Sequence, residues 1–379
     1  MAKKLRVGVV FGGRSGEHEI SVRSAASVIQ SIDRQKYDVL PIAISREGKW
    51  LSPPEAANLL PSDTKSLLPA RRLAEAEGDV ALLGDPSQAG LLSFDRNGGA
   101  LRSEPLDVVF PVLHGPFGED GTLQGLLEMA NVPYVGCGVL ASSCGMDKVA
   151  MKLLFLQAGL PMCKYVWFLR SHWQADRAGV IKTITRKLGL SCFVKPANLG
   201  SSVGVSRATD KASLEQAIDL AAQYDRKIVV EEAVDAREIE CAVLGNDKVK
   251  ASLPGEYVVH DNSAGFLDYT EKYTKTGHVE FVVPALVSKA LAAKIQRLAI
   301  QAFQSIDGAG LARVDFFLKR DTKELLINEL NTMPGLTEVS GYPKMWAASG
   351  LSYTRMLEVL IELALERHRE KSLNKTTRD

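Results

Sequence analysis

Arg313-Val-Asp315-Phe-Phe-Leu-Lys319 and, further on, Glu329-Leu-Asn331-Thr-Met-Pro334-Gly335 carry the most structural information in this chain. Residues 311–319 and 324–329 alternate apolar and polar side chains like neighbouring strands. Asp315, Glu329 and Asn331 then project toward one small region. Two carboxylates and an amide oxygen are hard ligands, suited to a magnesium ion that keeps coordination sites open for phosphate oxygens. The plainer reading makes Asp315 and Glu329 solvated strand residues. Glu and Asn so close together before Pro-Gly are poor material for an ordinary strand, which favours the metal.

The composition bounds the rest. A chain of 379 residues has room for two or three domains. Its hydrophobic content of 46% and charged content of 24% are those of a soluble globular protein. A formal net charge of +1 gives no global field toward nucleic acid or an acidic membrane, and no basic, aromatic-interleaved stripe is present. Met1-Ala-Lys-Lys-Leu-Arg-Val runs directly into a strand-like segment without the apolar region of a signal peptide. No apolar run is long enough to span a membrane. The expectation is a cytoplasmic protein with neither nucleic-acid nor membrane partners. Cys137, Cys144, Cys163, Cys192 and Cys241 are scattered without metal-like spacing and read as buried thiols.

The pattern along the chain is α/β. A β-branched run at 5–11 reads as a buried parallel strand; Gly12-Gly13-Arg14-Ser15-Gly16 and a helix at 19–32 follow. Further strands are expected at 37–45, 106–112 and 132–136, with right-handed crossovers. Between 46 and 105 the pattern dissolves into Pro53-Pro54, Pro61, Pro69, Asp85-Pro86 and Asn97-Gly98-Gly99, a surface elaboration with hairpin-like pieces. A helix at 146–158 leads into strands at 165–169, 192–197, 203–208 and 228–234 with helices at 181–188 and 211–222. The last block holds strands at 238–245, 249–253 and 280–284, a helix at 286–305, and the metal-bearing pair. Tyr353, Leu357, Leu360, Ile361, Ala364 and Leu365 share one helical face, read as core. The expected domains are 1–142, 143–235 and 236–379.

Four further constellations carry chemistry. Phe193-Val-Lys195-Pro-Ala-Asn-Leu-Gly200-Ser201-Ser202-Val-Gly204 is strand, glycine- and serine-rich turn, strand. Its backbone N–H groups suit phosphate oxygens, and Lys195 adds a point charge. No Gly-Lys-Ser/Thr opens a helix, so it is not a Walker A loop; a plain hairpin would not need Gly-Ser-Ser. Ile228-Val-Val-Glu231-Glu232-Ala233-Val234, with Glu238 beyond it, is an apolar edge ending in carboxylates that can hold an adenine and its ribose, or merely a solvated strand end. His114-Gly-Pro-Phe-Gly118-Glu119-Asp120-Gly121 follows a strand and opens a helix, where open α/β sheets bind ligands and a helix N-terminus favours an anion. His114 could equally cap or fill space. Ser15-Gly16-Glu17-His18-Glu19 lacks the G-x-G-x-x-G spacing. Glu17 is available to a ligand ammonium or serves as a first-turn acid complementing the helix dipole. The long polar, aromatic stretch 257–277 is lid-like.

Taken together, these positions resemble the ATP-grasp superfamily and, within it, the D-alanine–D-alanine ligase family. The resemblance spans the chain. It rests on Gly12-Gly13-x-Ser15-x-Glu17-x-Glu19, His114-Gly-x-x-Gly-Glu-Asp-Gly121, Met146-Asp147-Lys148, Lys195-Pro with Gly200-Ser-Ser-Val-Gly204, Arg313-Val-Asp315 and Asn328-Glu-Leu-Asn-Thr-Met-Pro-Gly335, in that order. It implies a Rossmann-like parallel-sheet domain followed by a two-lobed ATP-grasp fold, and a cytoplasmic homodimer that makes D-alanyl-D-alanine for peptidoglycan. The implied cofactors are ATP and two Mg2+ (or Mn2+) ions held by Asp315, Glu329 and Asn331.

The resemblance also implies residue roles. Lys148 and Lys195 hold the ATP phosphates, and the loop 200–204, with Ser201 and Ser202, closes over the γ-phosphate. Phe193, Glu231, Glu232, Ala233, Val234, Glu238, Phe317, Asn328 and Glu329 are the remaining ATP contacts. Glu17 takes the ammonium of the first D-alanine, with His114 near its carboxylate. Ser340, with Lys272, takes the carboxylate of the second. Arg313 and the Gly335 backbone N–H stabilise the oxyanion. Tyr273 on the lid hydrogen-bonds Ser201 and Glu17 and excludes water from the acylphosphate. Two departures stand out: Glu232-Ala233 in the adenine segment where some relatives carry Lys and a bulky aromatic, and Gly341 after Ser340 where a larger apolar residue is common.

Three rivals remain for comparison. A D-alanine–D-lactate ligase would replace the lid tyrosine, whereas this chain has Tyr269-Thr-Glu-Lys272-Tyr273. A non-catalytic nucleotide-binding regulator would have lost a metal ligand or the arginine. An NAD-binding dehydrogenase fails for want of its fingerprint.

Overall fold

In a computed structural model of the protein, residues 3–69, 79–88, 90–94, 100–200, 202–259 and 279–378 are described. The first sheet is centred on β1 (Leu5–Gly12), which pairs in parallel with β2 (Tyr37–Ile44) and β7 (Val108–Pro111); β3 (Trp50–Leu51) adds antiparallel to β2. Val7, Val9, Val10 and Phe11 are buried on both faces of the sheet, as a β-branched run in a covered parallel sheet requires. The helix α1 (His18–Ser31) packs Val22, Ala25, Ala26, Val28 and Ile29 against it.

The strand expected at 132–136 is reduced to a single parallel bridge between Tyr134 and Val109. Pro133 has no N–H to extend the ladder, and Gly136 turns away with φ of 102°. The segment 46–105 contains short helices α2 (Pro53–Asn58) and α3 (Ser62–Lys65) and an antiparallel sheet of β4 (Val80–Leu82), β5 (Gly90–Phe94) and β6 (Ala100–Pro105). It is less peripheral than expected: Val80, Leu82 and Leu91 share a core with Val10, Leu40, Ile42 and Leu127 of the first sheet and α4 (Thr122–Met129).

The helix expected at 146–158 is α6 (Lys148–Gln157); a helix not expected, α5 (Val139–Met146), precedes it, and the two are separated at Asp147. Asp147 leaves helical geometry at ψ 101° and accepts from Val149 N at 2.9 Å and Ala150 N at 3.1 Å. It also pairs with Lys227. Asp147→Ala is expected to cost about 1–2 kcal/mol, the usual price of an N-cap, read as a lowered urea midpoint.

A second sheet is antiparallel, in the order β10 (Ser206–Ala208), β9 (Cys192–Pro196), β11 (Lys227–Glu232), β8 (Tyr165–Leu169). The short α7 (Arg170–Ala175), which the sequence pattern did not announce, precedes α8 (Arg177–Leu188) and α9 (Lys211–Tyr224). Ile184, Leu214, Ile218 and Ile228 fill the core of this layer. The third sheet runs β15 (Val279–Val282), β14 (Gly255–Val259), β12 (Ala236–Gly245), β16 (Gly310–Lys319), β17 (Leu325–Asn331), with β13 (Lys250–Ala251) beside β12. The helix α10 (Lys289–Ser305) covers it with Ile295, Leu298, Ala299, Ala302 and Phe303.

After α11 (Gly341–Ala348), the last helix α12 (Tyr353–Lys371) returns to the first domain. Leu357, Leu360, Ile361 and Ala364 are buried in one cluster with Val7, Phe11, Ile29 and Phe110, so the expected stripe is core. Polar ties accompany it. Arg367 donates to the Tyr134 carbonyl at 3.1 Å and to the Gly136 carbonyl, its guanidinium stacking 4.2 Å from the Tyr134 ring centroid. Lys36 meets Glu358 at 2.8 Å.

Candidate active site

Strand register builds the acidic face. β16 and β17 pair Arg313 with Asn331 and Asp315 with Glu329, while β12 places Glu240 opposite Asp315 and Glu238 opposite Phe317. Residues directly opposite, and two apart along a strand, share a face. Glu238, Glu240, Arg313, Asp315, Phe317, Glu329 and Asn331 therefore line one surface. The register shifts between Asp315 and Phe316, leaving Asn328 as the extra residue of a bulge; such bulges re-aim side chains beside active sites.

Arg313 grips Asp315 with both arms, Nε to Oδ1 at 2.6 Å and Nη2 to Oδ2 at 2.7 Å, and its Nε also lies 3.3 Å from Glu240 Oε1. Both carboxylates are buried, so this arginine is structural. Asn331 turns its amide oxygen inward to accept from Met333 N at 3.2 Å. Among the described residues no three His, Cys, Asp or Glu gather around one point. Asp315, Glu329 and Asn331 share one face by register, and their oxygens are of the kind that suits a hard divalent cation sharing its shell with phosphate oxygens, although both Asp315 oxygens are engaged by Arg313.

The lysines converge on the same face. Lys148, first residue of α6, donates to the Leu199 carbonyl at 2.7 Å and stands 3.7 Å from Glu329 Oε2. It thus joins the glycine-rich loop to the acidic strand pair. Lys195 donates to Glu231 Oε2 at 2.7 Å. Burial opposes its charge, but Glu231 and Glu329 prevail and raise its pKa. Glu231 is held by a second lysine as well, with Lys152 Nζ 2.9 Å from Oε1. Burial would raise the Glu231 pKa; the two lysines overcome that and hold it well below the usual carboxylate range. Both Glu231 oxygens are thus engaged by lysines. Glu232 accepts from Lys164 N at 2.9 Å. Ser202 adopts φ of 58°, unusual for a residue other than glycine, and Gly204 follows at 71°; consecutive N–H groups in such turns form an anion cradle. A Cβ on Gly204 would come within 2.7 Å of Tyr224 and 2.9 Å of Pro196.

Loops of the first domain close the other side. Ser15 Oγ donates to the His114 carbonyl at 2.7 Å and accepts from Glu17 N at 3.0 Å. Glu17 Oε2 lies 3.2 Å from where a Cβ on Gly115 would sit and 3.1 Å from that of Gly200, so Glu17 faces both the His114 loop and the phosphate loop. His114 is buried, with Nδ1 3.1 Å from the Met333 carbonyl and 3.5 Å from Glu119, and Nε2 3.2 Å from Ser24 Oγ. Burial disfavours its imidazolium, yet Glu119 and, further off, Glu17 outweigh this and raise its pKa above 6.5. Protonation is thereby favoured beside the loop that carries Gly335.

Ser340 is buried at the N-terminus of α11, with its Oγ 2.7 Å from Thr337 Oγ1. The departure at Gly341 has a steric reason: a Cβ there would meet Glu240 Oε2 at 2.7 Å and Phe281 Cζ at 2.9 Å. Gly341→Leu is expected to displace Glu240 and raise the KM for the second substrate by about tenfold or more, because sub-ångström misplacement at a site is costly; initial rates against substrate concentration check it.

Ser201, Lys272, Tyr273 and most of the stretch 257–277 lie outside the described residues. Gly335 sits in the loop between β17 and α11. Phe193 on β9 pairs with Glu231. Three charged residues at the site escaped the sequence reading: Lys152, Glu240 and, as the partner of His114, Glu119. For Glu240 a signal existed, since Glu238-x-Glu240 repeats the alternation of the metal strands. For Lys152 it is the spacing of four from Lys148 on an otherwise apolar helical face.

Comparison with known proteins bears on the family. The family described as D-ala D-ala ligase N-terminus matches residues 6–137 and that described as D-ala D-ala ligase C-terminus matches 154–362. A D-alanine–D-alanine ligase of Heliobacterium modesticaldum is 48% identical over 99% of this chain and 98% of its own. One from Bacillus licheniformis is 45% identical over 99% of both. Among solved structures, the D-alanine-D-alanine ligase of Coxiella burnetii superposes with a TM-score of 0.81 at 35% identity, covering 98% of this chain and 97% of that one. The VanG D-Ala:D-Ser ligase of Enterococcus faecalis gives 0.81 at 35% identity, over 96% and 100%. The two-lobed architecture, the all-oxygen acidic face and the lysine-flanked glycine loop, met by full-length relatives of one kind, mean that this chain belongs to the D-alanine–D-alanine ligase family, whose members are ATP-dependent, peptide-bond-forming ligases of the ATP-grasp fold.

Proposed function

We propose that this protein joins two D-alanine molecules to D-alanyl-D-alanine for cell-wall synthesis, at the expense of ATP and with two divalent cations. One observation carries the reading. Lys148 touches the phosphate-loop carbonyl of Leu199 and lies 3.7 Å from Glu329, so a γ-phosphate in the loop meets the acidic face. Asp315, Glu329 and Asn331 would hold magnesium, which when bound would offset the charge of the transferring phosphoryl group. The first D-alanine carboxylate oxygen bonds to the γ-phosphorus as the bond to the β-phosphate oxygen breaks, leaving ADP and an acylphosphate. Glu17 holds that substrate's ammonium and His114 lies near its carboxylate. The amine of the second D-alanine, whose carboxylate Ser340 and Lys272 hold, then attacks the carbonyl. Arg313 and the Gly335 N–H take up the oxyanion before phosphate leaves. Phe193 and Phe317 flank the adenine, Glu232, Ala233, Val234 and Asn328 border it, and Glu238 serves the ribose. Ser201, Ser202 and Tyr273 close the lid. We assign this work to three domains, 1–142, 143–235 and 236–379, and to a cytoplasmic homodimer.

The likeness to the D-Ala:D-Ser ligase makes the second substrate the point to test. With magnesium and ATP, D-alanine alone is expected to release phosphate and yield D-alanyl-D-alanine by mass. In mixtures with D-serine or D-lactate the same dipeptide is expected to dominate. A dominant mixed dipeptide or depsipeptide would reassign the second site; no phosphate release with any pair would overturn the substrate.

A further inference from the structure

Lys152 has no part in the reaction outlined above, yet it is among the most deeply buried side chains in the molecule, 1% exposed on a face of α6 otherwise made of Val149, Met151 and Phe155. A buried ammonium is costly unless its partners are close. Its partners are Glu231 Oε1 at 2.9 Å and the carbonyl of Asn328, the bulge residue, at 3.4 Å, with the Tyr165 ring centroid 5.5 Å away. The second oxygen of Glu231 accepts from Lys195 at 2.7 Å. The three side chains form a buried row, cation–anion–cation.

The charge of that row is the point. Glu231 fixes the Lys195 ammonium, but a carboxylate directly behind a cation cancels most of its attraction for an anion in front. Lys195 and Glu231 alone would present a neutral pair to a phosphate. With Lys152 the row carries two positive charges and one negative, a net +1. Inside a protein such charges are weakly screened, so the difference is felt several ångströms away. We propose that Lys152 is a charge-balancing, positioning residue: it neutralises Glu231 so that Lys195, still held in place by Glu231, faces the oligophosphate with its full positive charge. The proposal rests on Lys195 being a phosphate ligand. It predicts an effect that scales with the negative charge of the ligand.

The test measures ATP, ADP and adenosine affinity by calorimetry for the full-length wild type, Lys152→Met, Lys195→Met and the double variant Lys152→Met/Glu231→Gln. Lys152→Met is expected to weaken ATP and ADP by roughly tenfold or more while leaving adenosine within about twofold. The double variant removes one charge of each sign and keeps an amide oxygen for Lys195. It is expected to restore ATP binding to within about threefold of wild type, a rescue that mere loss of packing would not give. A folded Lys152→Met that binds ATP like wild type, or a double variant as weak as the single one, overturns the proposal. Should Lys152→Met not fold, the double variant decides alone, since Lys195 is then the one charge left in the row and the glutamine amide oxygen still accepts from it. Undiminished ATP binding by Lys195→Met would instead remove the phosphate role of Lys195, a separate failure.

Discussion

Glu329→Gln is expected to lower turnover by about a thousandfold or more while leaving the melting temperature within a few degrees of wild type. The asymmetry follows from position. Glu329 sits near the end of β17 with its side chain about one-third exposed, and glutamine keeps its shape. What is lost is one of the two carboxylate charges among Asp315, Glu329 and Asn331. A catalytic cation supplies several kcal/mol of transition-state stabilisation, and about 4 kcal/mol is a thousandfold in rate. Lys148 would also lose its neighbour at 3.7 Å. Thermal melts and rates at saturating magnesium and substrates check both halves. Turnover within tenfold of wild type would remove Glu329 from the cation site.

Arg313→Ala is expected to do two kinds of damage. Sequence reasoning treats this residue as an oxyanion donor, whose loss costs about a hundred- to a thousandfold in turnover. The structure adds a second burden, because Arg313 is bidentate to Asp315 and 3.3 Å from Glu240, both buried. Stripping the cation from buried carboxylates costs about 3–5 kcal/mol. Arg313→Ala is therefore expected to melt well below wild type as well as to be inactive. Arg313→Lys separates the two effects. It restores a positive charge and most of the melting temperature, but an ammonium lacks the planar fork, so turnover stays at least about a hundredfold down. Wild-type turnover in the lysine variant would sink the oxyanion role.

What the sequence made legible follows a physical rule. Asp315, Glu329 and Asn331 could be read because strand alternation is local: a period of two sets the face without knowledge of the rest of the fold. The glycine-rich loop was equally readable, since Gly and Ser between apolar strands have few other uses. The bulge at Asn328 was not, because a one-residue slip leaves no mark in composition. Nor were the clusters His114–Glu119–Met333 and Lys152–Glu231–Lys195, which bring together residues from distant parts of the chain. A buried lysine looks in sequence like a solvated one. The helix expected at 146–158 was legible, Asp-Lys-Val-Ala being a sound N-cap start, whereas α5 before it was not, because Ser142-Ser143-Cys144-Gly145 are weak helix formers. At 132–136 β-branched content outvoted Pro133 and Gly136.

The return of α12 to the first domain bears on how the chain is made. The cluster formed by Val7, Phe11, Ile29 and Phe110 is completed by Leu357, Leu360 and Ile361, and Arg367 closes over the carbonyls of Tyr134 and Gly136. Synthesis proceeds at about 5–20 residues per second, so the N-terminal segment waits with an open apolar flank until residues 357–367 have been made. A nascent chain halted before residue 353 exposes the patch that α12 covers, and it is the species of this protein for which chaperone protection matters most.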